Sequence, residues 1–126
     1  MSNFLLVAVG GSIGASIRYF FYLISKNFFS VNNLFINTLI INIIGSFLIG
    51  YLIVSIENKS FSQDFLKYFF IIGILGSFTT FSAFSLETVD LLVNKRFLIA
   101  FFNVFLSLSL CLLFTFLGLN FNKLIN

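Results

Sequence analysis

Side chains that could carry out acid–base or metal chemistry are scarce in this sequence. The chain has no histidine, a single cysteine and four acidic residues. These are Cys111, Glu57, Asp64, Glu87 and Asp90. Without histidine the commonest transition-metal ligand is absent, and a lone cysteine forms neither a disulfide framework nor a thiolate cluster. The chain has too few carboxylates and metal ligands to favour hydrolysis by paired carboxylates or by a zinc-bound water. We therefore expect no enzyme and no organic cofactor.

The densest group of polar side chains is a hydroxyl run that follows two glycines, Gly73 and Gly76. The run consists of Ser77, Thr79, Thr80, Ser82 and Ser85. Hydroxyl side chains compete for backbone hydrogen bonds and glycine adds conformational freedom, so a continuous helix is disfavoured here. The pattern predicts a break near Gly76 to Thr80. Carbonyls freed at mid-membrane depth need a partner, and a bound cation is one way to provide it.

Polar or small residues also recur at helical spacing in three other stretches. The sets are Gly11, Gly14 and Arg18; Thr38, Asn42 and Gly45; and Asn103, Ser107, Cys111 and Thr115. Each set falls on one face of a helix. Within a bilayer, such residues face a partner helix or a water-filled path because exposing them to lipid is costly. Simple helix packing explains any one of them, but together with the hydroxyl run they favour a polar interior.

The elements that must position these residues are four apolar stretches. Hydrophobic residues make up 60% of the chain and charged residues 9%, too few to cover an apolar core in water. A spanning helix needs about 20 apolar residues, and the stretches cover about 4–24, 34–56, 65–92 and 97–119. The first is not expected to be a cleaved signal peptide, because no basic residue precedes it and Arg18 lies within it. We therefore predict an all-α integral membrane protein, one four-helix transmembrane domain over residues 1–126.

Basic residues are almost evenly divided between the two sides of the membrane. Four spans place Lys59, Lys67 and Lys123 on one side and Lys26, Lys95 and Arg96 on the other. Because an excess of Lys and Arg in cytoplasmic loops normally sets orientation, so weak a bias predicts that both orientations insert. The alternative is one fixed topology set by Arg18 as the single extra charge. Charge counting leaves both open.

Three segments of the chain resemble the signatures of the CrcB fluoride channels, also called Fluc. They are Gly10 to Arg18, Asn42 to Phe47, and Gly73 to Ser85, in the order and spacing of that family. The resemblance implies a fluoride-specific channel that exports fluoride passively through a multi-pass protein in the inner membrane of a prokaryote. It further implies an antiparallel, dual-topology homodimer with two pores lined by both subunits. Fluoride, membrane lipid and a second copy are the expected partners, with no nucleic acid.

The same resemblance implies roles for individual residues. A fluoride pore is expected from Asn42, Phe81, Phe84, Ser107, Thr38 and Ser82. The backbone carbonyls of Gly76 and Thr79 would hold a structural sodium ion at the dimer centre. Structural or vestibule roles are expected for Arg18, Gly14, Gly45 and Glu87. Two positions depart from the family: Ser77 stands where a second glycine is common, and Asn103 stands where many members have tyrosine, so Asn103 is assigned no pore role.

The chemistry required of a fluoride path agrees with these residue types. Fluoride is small and strongly hydrated, so amide and hydroxyl donors and weakly positive ring edges must replace its water. No Walker loop for ATP is present. Proton coupling through Glu87 or Asp90 is an alternative, as is a structural subunit without flux. A small multidrug exporter is a third, although its family needs an acid in the first span, where this chain has Arg18.

Overall fold

The computed structural model describes residues 2–30, 33–57 and 62–125, the side chains of residues 57, 122 and 123 apart. Every element in these ranges is helical. The helices are α1 (Ser2–Phe28), α2 (Phe35–Glu57), α3, α4 (Phe81–Val93) and α5 (Phe97–Ile125). Helix α3 joins a π-helical segment, Phe65–Leu75, to one α-helical turn, Gly76–Phe78.

Four of these helical segments are long and apolar enough to cross a membrane, with α3 and α4 together forming the third, Phe65–Val93. The predicted four-helix, all-α architecture is thereby confirmed. The helices α1 and α5 run several residues past the apolar stretches. Lys26 and the polar residues after Leu119 are therefore also helical, and each helix is longer than a span requires. Of the basic residues used to weigh orientation, Lys59 and the side chain of Lys123 lie outside the described residues.

Helix α3 has an unusual geometry that no residue pattern in the sequence indicated. Its first segment is π-helical for 11 residues, whereas π-helical geometry is ordinarily confined to single turns. The chain then runs extended through Thr79 (ψ 155°) and Thr80 (φ −151°, ψ 117°) before α4 begins. The Thr80 hydroxyl accepts a hydrogen bond from the Ala83 N–H at 3.2 Å and so caps α4.

Glycines allow the helices to pack backbone against backbone. Helix α1 lies against α3, and α2 lies against α5. A Cβ added to Gly73 would come within 3.0 Å of the Gly10 Cα, and one added to Gly14 would collide with the Ile74 carbonyl. In membranes, small residues stabilise helix pairs through this close approach. Gly14 therefore has a packing role between α1 and α3.

A short turn connects α4 to α5 and is tied to the start of α2. Lys95 has a left-handed backbone (φ 58°), and the Arg96 N–H returns to the Leu91 carbonyl at 2.8 Å. This is the hydrogen-bond pattern that closes helix C-termini. The Arg96 guanidinium donates to Asn33 Oδ1 at 3.0 Å. The end of α4 and the beginning of α2 consequently lie at the same end of the bundle.

Candidate functional site

Two cavities open on either side of the extended segment between α3 and α4. The first has a volume of about 420 Å³ and the second about 520 Å³. Thr80 lines both of them. Residues from α2, α4 and the extended segment contribute to each cavity, while α5 contributes to the first and α1 to the second. The extended segment thus contributes a residue, Thr80, that borders both spaces.

The side chain of Asn42 holds this segment in place from α2. Its Nδ2–H donates to the Thr80 carbonyl at 3.1 Å, and its Oδ1 accepts from the Thr80 N–H at 2.9 Å. One amide thereby satisfies both backbone groups of a residue that lies in no helix, as burial requires. The Thr80 N–H is turned to Asn42 and away from the Gly76 carbonyl four residues earlier. The second Nδ2–H of Asn42 is left for another acceptor.

The first cavity combines aromatic rings with an amide and hydroxyls. The rings of Phe81 and Phe84 have centroids 5.3 Å apart with an angle of 47° between their planes. Phe84 is 9% exposed and Phe81 is 74% exposed. Ser107 is buried on α5, and among the described residues its hydroxyl has no hydrogen-bond partner. No charged residue of the described chain lines this cavity.

The second cavity contains the charged groups. Arg18 and Glu87 both line it, together with Thr38 and Ser82. The Thr38 hydroxyl donates to Glu87 Oε1 at 2.7 Å, while Glu87 Oε2 is fully buried with no hydrogen-bond partner in the described chain. The Ser82 hydroxyl lies 3.1 Å from that of Thr80. Arg18 forms neither a hydrogen bond nor an ion pair with any described residue.

The structure divides the residues singled out in the sequence between these two spaces. Those lining the first cavity are Asn42, Gly45, Gly76, Thr79, Phe81, Phe84, Ser107 and Cys111. Those lining the second are Arg18, Thr38, Ser82 and Glu87. Gly14 lies in neither and packs on Ile74. The spacing of Thr38, Asn42 and Gly45 suggested one shared helix face, but Thr38 lines the second cavity while the other two line the first.

The structure gives two asparagines contacts or positions that the sequence did not indicate. Asn103 is buried on α5 and donates to the Thr88 hydroxyl at 3.0 Å, which donates in turn to the Phe84 carbonyl at 2.7 Å. Asn37 is buried on α2 and lines the second cavity. A search for regular helical spacing passes over Asn37, because its neighbour Thr38 fits the repeat. An amide within a long apolar stretch is itself a signal that could have identified it.

No group of three or more histidine, cysteine, aspartate or glutamate side chains in the described residues could hold a metal ion. A cation in this region would depend on backbone oxygens. The Gly76 carbonyl is the acceptor from which the Thr80 N–H has been turned away. The extended backbone of Thr79 takes its carbonyl out of the helical pattern. The donor set therefore fits a cation that accepts carbonyl ligands.

Comparison with known proteins identifies the family. Residues 5–119 match the family described as CrcB-like protein, Camphor Resistance (CrcB). The chain belongs to the CrcB family. A protein named fluoride-specific ion channel FluC from Campylobacter hominis is 39% identical over 122 residues, which cover 97% of this chain and 96% of that protein. Proteins of the same name from Shewanella baltica strain OS185 and Shewanella sp. strain W3-18-1 are 46% and 45% identical over 118 residues, 94% of either chain.

Membership of the CrcB family bears on the expected family, cellular location and class of protein. The resemblance of the three sequence signatures to this family is confirmed, and the match extends over most of the chain. The relatives are ion channels by name and bacterial in origin. With its four membrane-spanning helices, the chain is a multi-pass membrane protein of a prokaryote and a transport protein rather than an enzyme.

Proposed function

We propose that this CrcB protein is a fluoride-specific channel that exports cytoplasmic fluoride passively across the inner membrane. One observation carries the proposal: the first cavity gathers Asn42, Phe84 and Ser107 in a chain whose relatives are named fluoride-specific ion channels. Phe81 lines the same cavity. Thr38 and Ser82 extend the polar path to the far side of Thr80.

The residues of the first cavity suit a small, strongly hydrated anion. The free Nδ2–H of Asn42 and the unpartnered Ser107 hydroxyl are donors that replace water, and the edges of the Phe81 and Phe84 rings carry partial positive charge. The lining holds no full positive charge. Conduction needs binding that is favourable enough for entry and weak enough for release, and neutral donors meet both conditions.

The direction of flow follows from the acid chemistry of fluoride and the membrane potential. Hydrogen fluoride crosses a bilayer as a neutral weak acid and ionises in the cytoplasm, where the anion accumulates. A potential of 100 mV, negative inside, favours the exit of one negative charge by about 2.3 kcal/mol. A passive path therefore suffices for export, and flow through it lowers fluoride toxicity.

The functional unit in this proposal is an antiparallel, dual-topology homodimer with two pores. Phe81 supports it, because the ring is 74% exposed although it packs against the buried Phe84 beside the first cavity. A second copy would cover Phe81 and complete the wall of the cavity. The balanced basic residues support insertion in both orientations. The broken third span is the element that meets its counterpart at the dimer centre.

A structural sodium ion at this centre is part of the proposal. The backbone carbonyls of Gly76 and Thr79 would hold it, in line with the preference of hard cations for oxygen ligands. When bound, the ion would offset the dipoles of these two carbonyls. The role of the ion would be to fix the extended segment, whereas Asn42 and Phe81 would contact the anion directly.

Efflux from liposomes that contain the purified protein tests the function. We expect rapid fluoride efflux from these vesicles and chloride efflux no faster than from empty ones, measured with ion-selective electrodes. Asn42→Ala should suppress fluoride efflux because it removes both the free donor and the hold on Thr80. Equal chloride and fluoride efflux, or none of either from intact dimers, would refute a fluoride channel.

The same assay tests the cation and the control variant. Replacing sodium by N-methyl-D-glucamine on both sides should reduce fluoride efflux, and unchanged efflux would remove sodium from the proposal. Asn120→Ala is the matched control for Asn42→Ala. Asn120 lies on a spanning helix and donates to the Phe116 carbonyl of that same helix at 3.0 Å, and it lines neither cavity.

A further inference from the structure

Asn103 is a buried amide on α5 that the fluoride path described above does not use. The residue is 3% exposed and lines neither cavity. Its Nδ2–H donates to the Thr88 hydroxyl at 3.0 Å, and its side chain makes no other hydrogen bond within the described part of the chain. A polar side chain inside a spanning helix is costly to bury without a partner. The partner that this amide has found lies on α4.

The Thr88 hydroxyl connects this amide to Phe84. It accepts from Asn103 and donates to the Phe84 carbonyl at 2.7 Å. A hydroxyl that accepts one hydrogen bond donates the next more strongly, because the two bonds polarise each other. Phe84 is buried and lines the first cavity. Two consecutive hydrogen bonds therefore join an amide on α5 to the backbone of a cavity residue on α4.

These hydrogen bonds lie one helical turn away from two residues of the first cavity. Thr88 follows Phe84 by four residues on α4, and Asn103 precedes Ser107 by four residues on α5. Residues four apart lie on the same face of a helix. Phe84 and Ser107 both line the first cavity. The contact between α4 and α5 at Asn103 consequently governs how far apart the two helices hold these residues.

The remaining side-chain hydrogen bonds of this region hold α4 from α2. Asn42 bonds Thr80 directly before α4 begins, and Thr38 donates to Glu87 within α4. Among the described residues, no side-chain hydrogen bond other than that of Asn103 joins α4 to α5. Without it, the separation of α4 and α5 beside the first cavity would depend on van der Waals contacts between the helices.

We propose that Asn103 is a positioning residue for fluoride selectivity, which acts through Thr88 to set the spacing of Phe84 and Ser107 in the first cavity. The inference rests on the proposed function, since it needs this cavity to conduct fluoride. Fluoride is smaller than chloride and holds its water more strongly, so a loosened cavity loses contacts that fluoride needs more than chloride does. Asn103 itself need not touch the ion.

Efflux from liposomes over a range of fluoride concentrations, and again with chloride, tests this role. Asn103→Leu keeps nearly the same shape and removes the donor. We expect the half-saturating fluoride concentration to rise about fivefold, as the loss of one hydrogen bond predicts, and chloride efflux to exceed that of empty vesicles. Thr88→Val should reproduce both changes. Thr88→Ser keeps the hydroxyl and should restore selectivity.

A double variant tests whether Asn103 acts through Thr88. Asn103→Leu and Thr88→Val break the same chain of hydrogen bonds, so their combination should shift the half-saturating concentration no further than either one alone. Shifts that multiply would refute the connection. Asn120→Leu is the matched control, because it is the same substitution on the same helix, at an amide that donates to the Phe116 carbonyl of that helix. It should behave as the unaltered protein does.

The outcomes separate this inference from the function on which it rests. Unaltered protein without fluoride efflux would overturn both. Selective efflux from the unaltered protein, with neither change in Asn103→Leu and Thr88→Val, would overturn the role of Asn103 alone. A lower maximal rate without either change would also overturn it, because a purely structural residue has that effect. If Asn103→Leu fails to assemble, Thr88→Val decides: a half-saturating concentration equal to that of Thr88→Ser refutes the inference, and a higher one supports it.

Discussion

At the scale of single residues, the sequence separation between hydrogen-bond partners determined which contacts could be predicted from the sequence. The amide of Asn42 stood out because it shares helical spacing with Thr38 and Gly45, and a polar interior position followed from that. Its partner Thr80 is 38 residues away, and Thr38 and Glu87 are 49 residues apart. Helical spacing relates positions a few residues apart, so neither pair was predictable. Asn37 was missed for a different reason, because it lies outside the repeat that drew attention to Thr38.

Thr80 gives a residue-scale prediction that separates its hydroxyl from its backbone. Thr80→Val keeps the shape and both backbone hydrogen bonds to Asn42, but it removes the cap that accepts from the Ala83 N–H. We expect the free energy of unfolding to fall by about 1 kcal/mol, the usual value of a helix cap. Circular dichroism during denaturant titration in mixed micelles measures the change.

Thr80→Ser is the matched control, since it keeps a hydroxyl able to cap α4. Its free energy of unfolding should lie close to that of the unaltered protein. Equal losses for the serine and valine variants would mean that the methyl group, and not the cap, stabilises this segment.

At the scale of elements, hydropathy and length were enough to predict four spans, whereas the internal geometry of the third was not. Apolar length determines whether a helix crosses the membrane, and that quantity is read directly from sequence. The π-helical segment Phe65–Leu75 depends on how α1 packs against it, because Gly10 and Gly14 meet the backbone at Gly73 and Ile74. Such contacts arise between helices and leave no periodic signal within either one.

Glycine substitutions test this packing at the element scale. Gly14→Ala should lower the free energy of unfolding by about 1–3 kcal/mol, the usual range for overpacking, because its Cβ would collide with the Ile74 carbonyl. Backbone on the other side of the contact has no rotamer by which to move aside. Thermal unfolding of the purified protein in detergent provides the measurement.

Gly76→Ala is the contrasting variant. A Cβ there would be 3.7 Å from its nearest neighbour, the Ile71 carbonyl, and the backbone is already helical at φ −62°. We expect the stability of the single chain's fold to be unchanged or higher by up to about 1 kcal/mol. If Gly14→Ala proves as stable as Gly76→Ala, the close packing of α1 on α3 is not a source of stability.

At the scale of the whole molecule, the two ends of the bundle carry nearly equal positive charge, and the proposed dimer depends on this balance. Arg96 bonds Asn33 across one end of the bundle, on the side that also has Lys26 and Lys95. The opposing side has Lys67, with two further lysines in the sequence. A small change in this count should therefore have a large effect on assembly.

Biasing the charge provides the whole-molecule prediction. The double variant Lys26→Gln with Lys95→Gln should insert in one orientation, so that antiparallel pairs are lost and fluoride efflux from cells falls at least tenfold, as the Lys and Arg count governs orientation. Co-expression with the oppositely biased Lys59→Gln and Lys67→Gln variant should restore efflux, because the two chains then supply both orientations. Full efflux from either double variant alone would argue against the antiparallel pair.

The residue shared by the two cavities has an electrical consequence. Where water fills both spaces, the membrane voltage falls mainly across the protein between them, which includes Thr80, and only slightly across the conducting water on each side. A 100 mV potential amounts to about 2.3 kcal/mol for one charge, and most of it would act across the residues between the two cavities. The amide of Asn42 that braces Thr80 would therefore stand in the steepest part of the field, where a small displacement of backbone dipoles does the most electrical work.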